Sequence, residues 1–212
     1  MNEQTKSAMT SEGQNAEDSV LVQASRLGDL ESFNRLVDQY QGLVYNLALR
    51  MLHEPSSAED VAQETFLSAY EHIQSFRGGS FRAWLLRIAI NACNDMFRRT
   101  ARRPQVSLEQ AMDYGSPTAS VPDPTGDPEE FAVRRERQQV LARLLMALPP
   151  DQRAVVVLSD VHGLSYEEIA AATNEALGTV KSRLSRGRVR LRDLLRDQGE
   201  LFPLPQRHNN EG

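Results

Sequence analysis

The chain predicts an all-α fold: two small helical domains joined by an extended acidic linker, the second ending in a helix-turn-helix. Three observations carry this. Apolar residues recur at steps of three and four along the first half, with no strand-like alternation. Five prolines (104, 117, 122, 124 and 128) then fall among Gly, Ser and Asp, which describes an extended segment. Finally, Leu164 to Arg192 reads as two short helices around a turn, the second loaded with positive charge.

Composition bounds the rest. The 212 residues are 40% hydrophobic and 25% charged, ordinary for a soluble protein, and the 6% aromatic share suits helices better than sheets. Cys93 is the only cysteine, so an internal disulfide or Cys-based zinc site is excluded and a reducing compartment is the natural home. No apolar run exceeds about five residues, the length of Ala154 to Leu158, far too short to span a membrane, and the polar N-terminus does not read as a signal peptide. Net charge is −5, which by itself argues against a nucleic-acid binder. Its distribution argues the other way. Seven arginines (77, 82, 87, 98, 99, 102, 103) face only Asp95 between Arg77 and Arg103, and six basic residues with no acid lie between Thr179 and Arg192. Between these islands, residues 104–131 hold six acids and no base. Two basic islands around an acidic bridge suggest two contacts with one long polyanion.

Residues 1–19 are polar and acidic without a period, and disorder is expected there. From Asp29 to Leu52 the spacing of Phe33, Leu36, Val37, Tyr40, Leu43, Val44, Leu47 and Met51 predicts a long core helix. Pro55 breaks it. Ser56 with Glu59 then reads as a capping box opening a second helix, whose buried stripe is Val61, Thr65, Ala69 and Ile73. On another face of this helix fall Asp60, Gln63, Glu64, Leu67 and Glu71: a solvated face, or a surface for a partner that is basic around an apolar spot.

After the turn Phe76 to Ser80, a third helix carries Phe81, Trp84, Leu85, Ile88, Ala92 and Met96 inward and Arg82, Arg87, Asn91, Arg98 and Arg99 outward. Trp84 is read as core rather than as a base-stacking platform. The run Arg98, Arg99, Arg102, Arg103 repels itself unless an anion is close.

Pro104 ends the first domain. Asp127, Pro128 and two glutamates start a helix that buries Val133, Val140, Leu144 and Leu148 or their neighbours. A short helix after Pro149 and Pro150 stops at Gly163.

Ser165 and Glu168 form a capping box at the first helix of the helix-turn-helix. Val180, Leu184, Gly187 and Leu191 give the second helix its inward stripe, which leaves Lys181, Ser182, Ser185 and Arg186 outside for a major groove. Ala176 stands where Ser or Asp would cap better.

Three blocks, SAEDVAQETFLSAY (57–70), FRAWLLRIAINACNDMFRR (81–99) and LSYEEIAAATNEALGTVKSRLSRGR (164–188), occur in an order and spacing that resemble a bacterial RNA polymerase sigma factor of the extracytoplasmic-function type. The resemblance runs from Val22 to Leu195. It implies a region 2-like domain (20–103), a linker (104–127) threading the RNA path and a region 4-like domain (128–198), while composition marks residues 1–19 as a disordered tail and 199–212 as a flexible one. It implies that Asp60, Gln63, Glu64 and Leu67 bind the clamp of the polymerase's largest subunit. It assigns Asn91, Arg98, Arg99, Arg102 and Arg103, with the Gly78–Gly79 loop, to the minus-ten element and its opened strand. Thr179, Lys181, Ser182, Ser185 and Arg186 are assigned to the minus-thirty-five element, with Arg183 and Arg188 as phosphate contacts. Implied partners are core RNA polymerase, through that clamp and the flap of the second-largest subunit, promoter DNA, and an anti-sigma factor. No catalysis, cofactor or metal is expected, and the implied setting is a cytoplasmic stress response. Asn174 stands where the family often has glycine.

A free-standing helix-turn-helix transcription regulator is the alternative. It needs a receiver or ligand domain in front, and none is legible. An enzyme acting on DNA lacks support: histidines 53, 72, 162 and 208 have no metal-ligand spacing, and no glycine-rich phosphate loop follows a strand.

Overall fold

The computed structural model describes residues 3–102 and 128–196, and among these every regular element is helical. The linker at 104–127 and the tail at 199–212 lie outside the described residues, as does Arg103.

The N-terminal stretch departs from expectation. Residues expected to be disordered form α1 (Glu3–Arg26). Its last turns dock by Leu21, Val22 and Ser25, and Asp18, only 1% exposed, accepts hydrogen bonds from Tyr40 Oη and from Gln39 Nε2 at 2.8 Å. Burial, then the Asp18 carboxylate, raises the Tyr40 phenol above its ordinary pKa, so Tyr40 keeps its proton and donates. A helix held by a few apolar positions and one buried polar pair owes its stability to tertiary docking, which local periodicity does not record.

Next comes α2 (Leu30–Leu52), capped by Asp29, whose carboxylate accepts from Glu31 N at 3.1 Å. It buries Phe33, Leu36, Tyr40, Val44, Leu47 and Met51, the stripe its spacing predicts. The start of α3 (Pro55–Glu71) differs from expectation. Glu54 is the cap rather than Ser56, accepting from Ser56 N at 3.0 Å and from Ser57 N, and Pro55 fills the first helical position, where its missing N–H costs nothing. A short 3-10 turn (Ile73–Ser75) and left-handed Gly78 and Gly79 lead into α4 (Phe81–Arg102).

The second half holds α5 (Pro128–Met146), α6 (Pro150–Val156) with a π-helical continuation to Val161, α7 (Tyr166–Thr173) and α8 (Leu177–Arg196). In and just after α5, Val140, Leu145 and Leu148 face inward, whereas Val133 is exposed and Leu144 only half-buried.

The two halves pack as one body. A continuous apolar cluster runs from Leu36 and Leu85 to Val155, Ile169 and Leu184, and α7 lies along α4. Two arginines cross the seam. Arg82 Nη2 donates to the His162 carbonyl at 2.6 Å. Arg153, 3% exposed, donates to the carbonyls of Leu145 (2.9 Å), Met146 (2.9 Å), Leu148 (3.1 Å) and Met51, and its guanidinium lies 5.3 Å from the centre of the Phe97 ring. A buried cation is tolerable only when its donors are so occupied.

Candidate nucleic-acid interface

The helix-turn-helix is built as its residues dictate. Ser165 Oγ accepts from Glu168 N at 3.1 Å while Glu168 Oε2 accepts from Ser165 N at 2.9 Å, completing the capping box. Asn174 ends α7 in the left-handed conformation (φ 56°), which Asn tolerates. Ala176 supplies no side-chain cap. Its carbonyl accepts from Thr179 N and Val180 N, which starts α8 without one.

Along α8, Val180, Leu184 and Gly187 are buried and Leu191 is half-buried. Gly187 is a point of close approach: a Cβ there would lie 2.8 Å from Val156 Cγ2 and 3.4 Å from Gln152 Cβ. Lys181, Ser182, Ser185 and Arg186 are exposed and Thr179 is half-buried. Arg183 is engaged elsewhere: its Nε pairs with Asp151 at 3.0 Å and its Nη1 with Glu175. Arg188 likewise grips Asp160, with Nε 3.1 Å from Oδ2, and Ser159 Oγ at 3.2 Å. Arg183 joins the start of α6 to the turn of the motif, and Arg188 joins α8 to the end of the π-helical segment.

The glycine turn, the end of α3 and α4 enclose an open cavity of about 650 Å³, lined among others by His72, Phe76, Gly78, Gly79, Trp84 and Asn91. Its size comfortably exceeds that of a nucleobase. Trp84 is therefore both core and lining: it packs on Phe76 and Phe81 at centroid distances of 5.5 and 5.6 Å and shows its other side to the cavity. Asn91 is exposed on the rim, and Ala171 of α7 also lines it. Further along α4, Arg98 and Arg99 are exposed, Arg98 pairing with Asp95 at 2.7 Å, and Arg102 lies in the last turn.

On α3, Asp60, Gln63, Glu64, Leu67 and Glu71 are all exposed on one face. The sequence does not single out His72, whose Nδ1 donates to the Ser68 carbonyl at 2.9 Å, and it places Arg87 only on the outward basic face; both line the cavity. Arg82, expected on the outward face, and Arg153, which the sequence does not single out, both lie at the seam.

Comparison with known proteins bears directly on this arrangement. The Sigma-70 region 2 family model matches residues 36–103, and the Sigma-70, region 4 model matches residues 138–191. An ECF RNA polymerase sigma-E factor of Escherichia coli is 38% identical over 174 residues, covering 81% of this chain and 90% of that one. The chain belongs to the ECF sigma factors of the sigma-70 family. A second relative, the ECF RNA polymerase sigma factor SigE of Mycolicibacterium smegmatis, is 40% identical over 166 residues; the match spans 78% of this chain and 62% of that longer protein. Among solved structures, CnrH in complex with the cytosolic domain of CnrY has a TM-score of 0.62 at 26% identity, covering 85% of this chain and 98% of that one. The sigma factor RpoE of Bartonella quintana, in complex with the anti-sigma factor NepR, gives 0.59 at 26% identity, covering 79% and 98%. As a sigma factor, the protein binds RNA polymerase and directs it to promoters. Among the described residues, no helix is long and apolar enough to cross a membrane.

Proposed function

We propose that the labour of promoter recognition is divided among three surfaces of this sigma factor. The exposed α3 face, Asp60, Gln63, Glu64 and Leu67, docks on the clamp of the polymerase's largest subunit, and the second half meets the flap of the other large subunit. The α4 surface opens and holds the minus-ten element: Arg98 and Arg99, with Arg102 and Arg103, attract the strand, while Asn91 and the glycine-turn cavity take up an extruded base. Extrusion costs a few kcal/mol, which phosphate contacts and the aromatic wall offset. Thr179, Lys181, Ser182, Ser185 and Arg186 read the minus-thirty-five element in its major groove. Arg183 and Arg188 fit a supporting role better than a phosphate contact, since acids already occupy them.

The observation that carries this reading is the open cavity beside Asn91, roomy enough for a base, on the helix that also exposes Arg98 and Arg99. Use of both DNA sites at once requires the halves to separate. About 25 base pairs span roughly 85 Å at about 3.4 Å each, whereas a compact chain of this length has a radius of gyration of about 17 Å. The Arg82–His162 and Arg153–Met51 hydrogen bonds then break. An anti-sigma partner, a cytoplasmic location and the absence of any reaction of its own complete the proposal, the first supported by the RpoE–NepR neighbour.

The test is run-off transcription with purified core polymerase, comparing wild type with Asp60→Arg. Promoter-specific transcripts that depend on the protein and disappear with the charge reversal are expected. Unchanged transcription by Asp60→Arg would remove the clamp assignment.

A further inference from the structure

Four large apolar side chains at one end of the first half lie open to solvent. Leu27 is 90% exposed, Leu67 59%, Leu30 54% and Tyr70 44%. Scattered exposed leucines need no explanation, but a contiguous group marks a contact surface.

Two sets of contacts bring the segments that carry these four together. Gln74 Nε2 donates to the Arg26 carbonyl at 2.6 Å and its Oε1 accepts from Arg26 Nε at 3.4 Å, which pins the turn between α1 and α2 to the 3-10 turn after α3. Phe33 meets Tyr70 edge to face at 5.0 Å, which sets the first turn of α2 against the last turn of α3. Leu30 lies one turn before Phe33 and Leu67 one turn before Tyr70, so both leucines border that aromatic pair. Leu27 sits in the pinned turn itself. Exposed Glu31, Glu64 and Glu71 lie within a turn of Leu30, Leu67 and Tyr70 along their helices, and they outnumber the exposed cation beside Leu27, Arg26.

We propose that Leu27, Leu30 and Tyr70 extend the α3 docking face around the corner of the bundle, and that the clamp of the polymerase's largest subunit covers them together with Leu67. The proposal rests on the clamp assignment above and enlarges it. Leu67 belongs to both surfaces, which makes them continuous, and the acidic rim asks for the same kind of occupant: apolar knobs among basic residues. Tyr70 suits the centre of such a contact, with an apolar ring on Phe33 and a hydroxyl at the edge.

The double variant Leu27→Ser/Leu30→Ser tests this, measured for core polymerase affinity by fluorescence anisotropy beside wild type, Leu27→Ser alone and Asp60→Arg. Cys93 is buried, so a label can be placed on an introduced exposed cysteine. The double variant is expected to bind core about tenfold or more weakly, with Leu27→Ser intermediate and the thermal midpoint unchanged, because both side chains are largely exposed. Wild-type affinity in the double variant, with binding lost in Asp60→Arg, overturns the extension and leaves the clamp assignment standing. Binding retained by Asp60→Arg overturns both. Sedimentation of the free protein adds one more outcome: a wild-type dimer abolished by the double variant, with core affinity unchanged, makes the occupant a second copy and also overturns the proposal.

Discussion

The basic end of α4 and the basic face of α8 look alike as sequence and differ as structure. Along α8, the arginines that point back toward the scaffold are consumed by it: Arg183 by Asp151 and Glu175, Arg188 by Asp160. Lys181, Arg186, Arg190 and Arg192 are exposed and stand clear of those acids, with Arg192 a loose 3.9 Å from Asp193. Along α4, Arg98 has one exposed neighbour three residues away and Arg99 is exposed. A charge run counts cations, whereas an interface uses those without an intramolecular acid. By that measure α8 offers a partner fewer cations than its six basic residues suggest and depends more on the body behind it.

The largest expected effect tests that dependence. Arg183→Ala leaves the partly buried Glu175 without its cation, and exposed Asp151 to water, a cost of about 1–3 kcal/mol that falls mainly on Glu175. That corresponds to a fall of roughly 2–12 °C in the thermal midpoint and to reduced transcription from every promoter. A variant that melts like wild type but loses only DNA affinity would return Arg183 to the phosphate contacts. Gly187→Ala probes the same scaffold from its apolar side. Its methyl group must displace Val156, so overpacking of about 1–3 kcal/mol outweighs the gain of about 1 kcal/mol in helix propensity, and calorimetry should show net destabilisation.

At α4 the expectation reverses. Arg98→Ala/Arg99→Ala should melt like wild type yet weaken open complexes at all promoters, read by permanganate reactivity of unpaired thymines. The slope of log affinity against log salt should shrink by about one for each phosphate no longer neutralised. Arg186→Ala gives a smaller and selective effect, about 1–3 kcal/mol at one position of the minus-thirty-five element and little elsewhere. Equal losses for both variants on every promoter would erase the contrast.

The smallest effect at neutral pH concerns the seam on which α8's scaffold rests. Burial, then Arg50 and Arg82, depress His162 from an ordinary value near 6.5 to about 4. The unfolded chain therefore takes up the proton first. This contribution is fully present above about pH 6.5 and is lost as pH falls toward 4. The difference in thermal midpoint between wild type and His162→Asn should narrow across that window, whereas a constant difference would place the histidine outside the linkage.

Much of this was legible from single residues. The three-and-four spacing of α2, the Ser165–Glu168 box, left-handed Asn174 and the exposed faces of α3 and α8 follow from local rules. Local rules failed at two places and left a third open. The docking of α1 depends on the Asp18–Tyr40 pair, separated by 22 residues. Glu54 displaced Ser56 as the cap of α3 because Pro55 is well suited to the first helical position. In α5 the spacing left two adjacent leucines open, and packing buries Leu145 and leaves Leu144 half-buried.

Helical order, the helix-turn-helix and the assignment of charge to particular helices come from the chain alone, because periodicity, caps and turns are properties of neighbours along it. Packing was needed to settle which arginines are spent on the scaffold, that α4 is flanked by both halves, and that Trp84 lines a cavity as well as filling a core. Arg183 acquires its acids from eight and thirty-two residues away, and Arg82 and Arg153 find their carbonyls across the seam. Such partners meet only when separate helices pack, and no local pattern encodes which ones do.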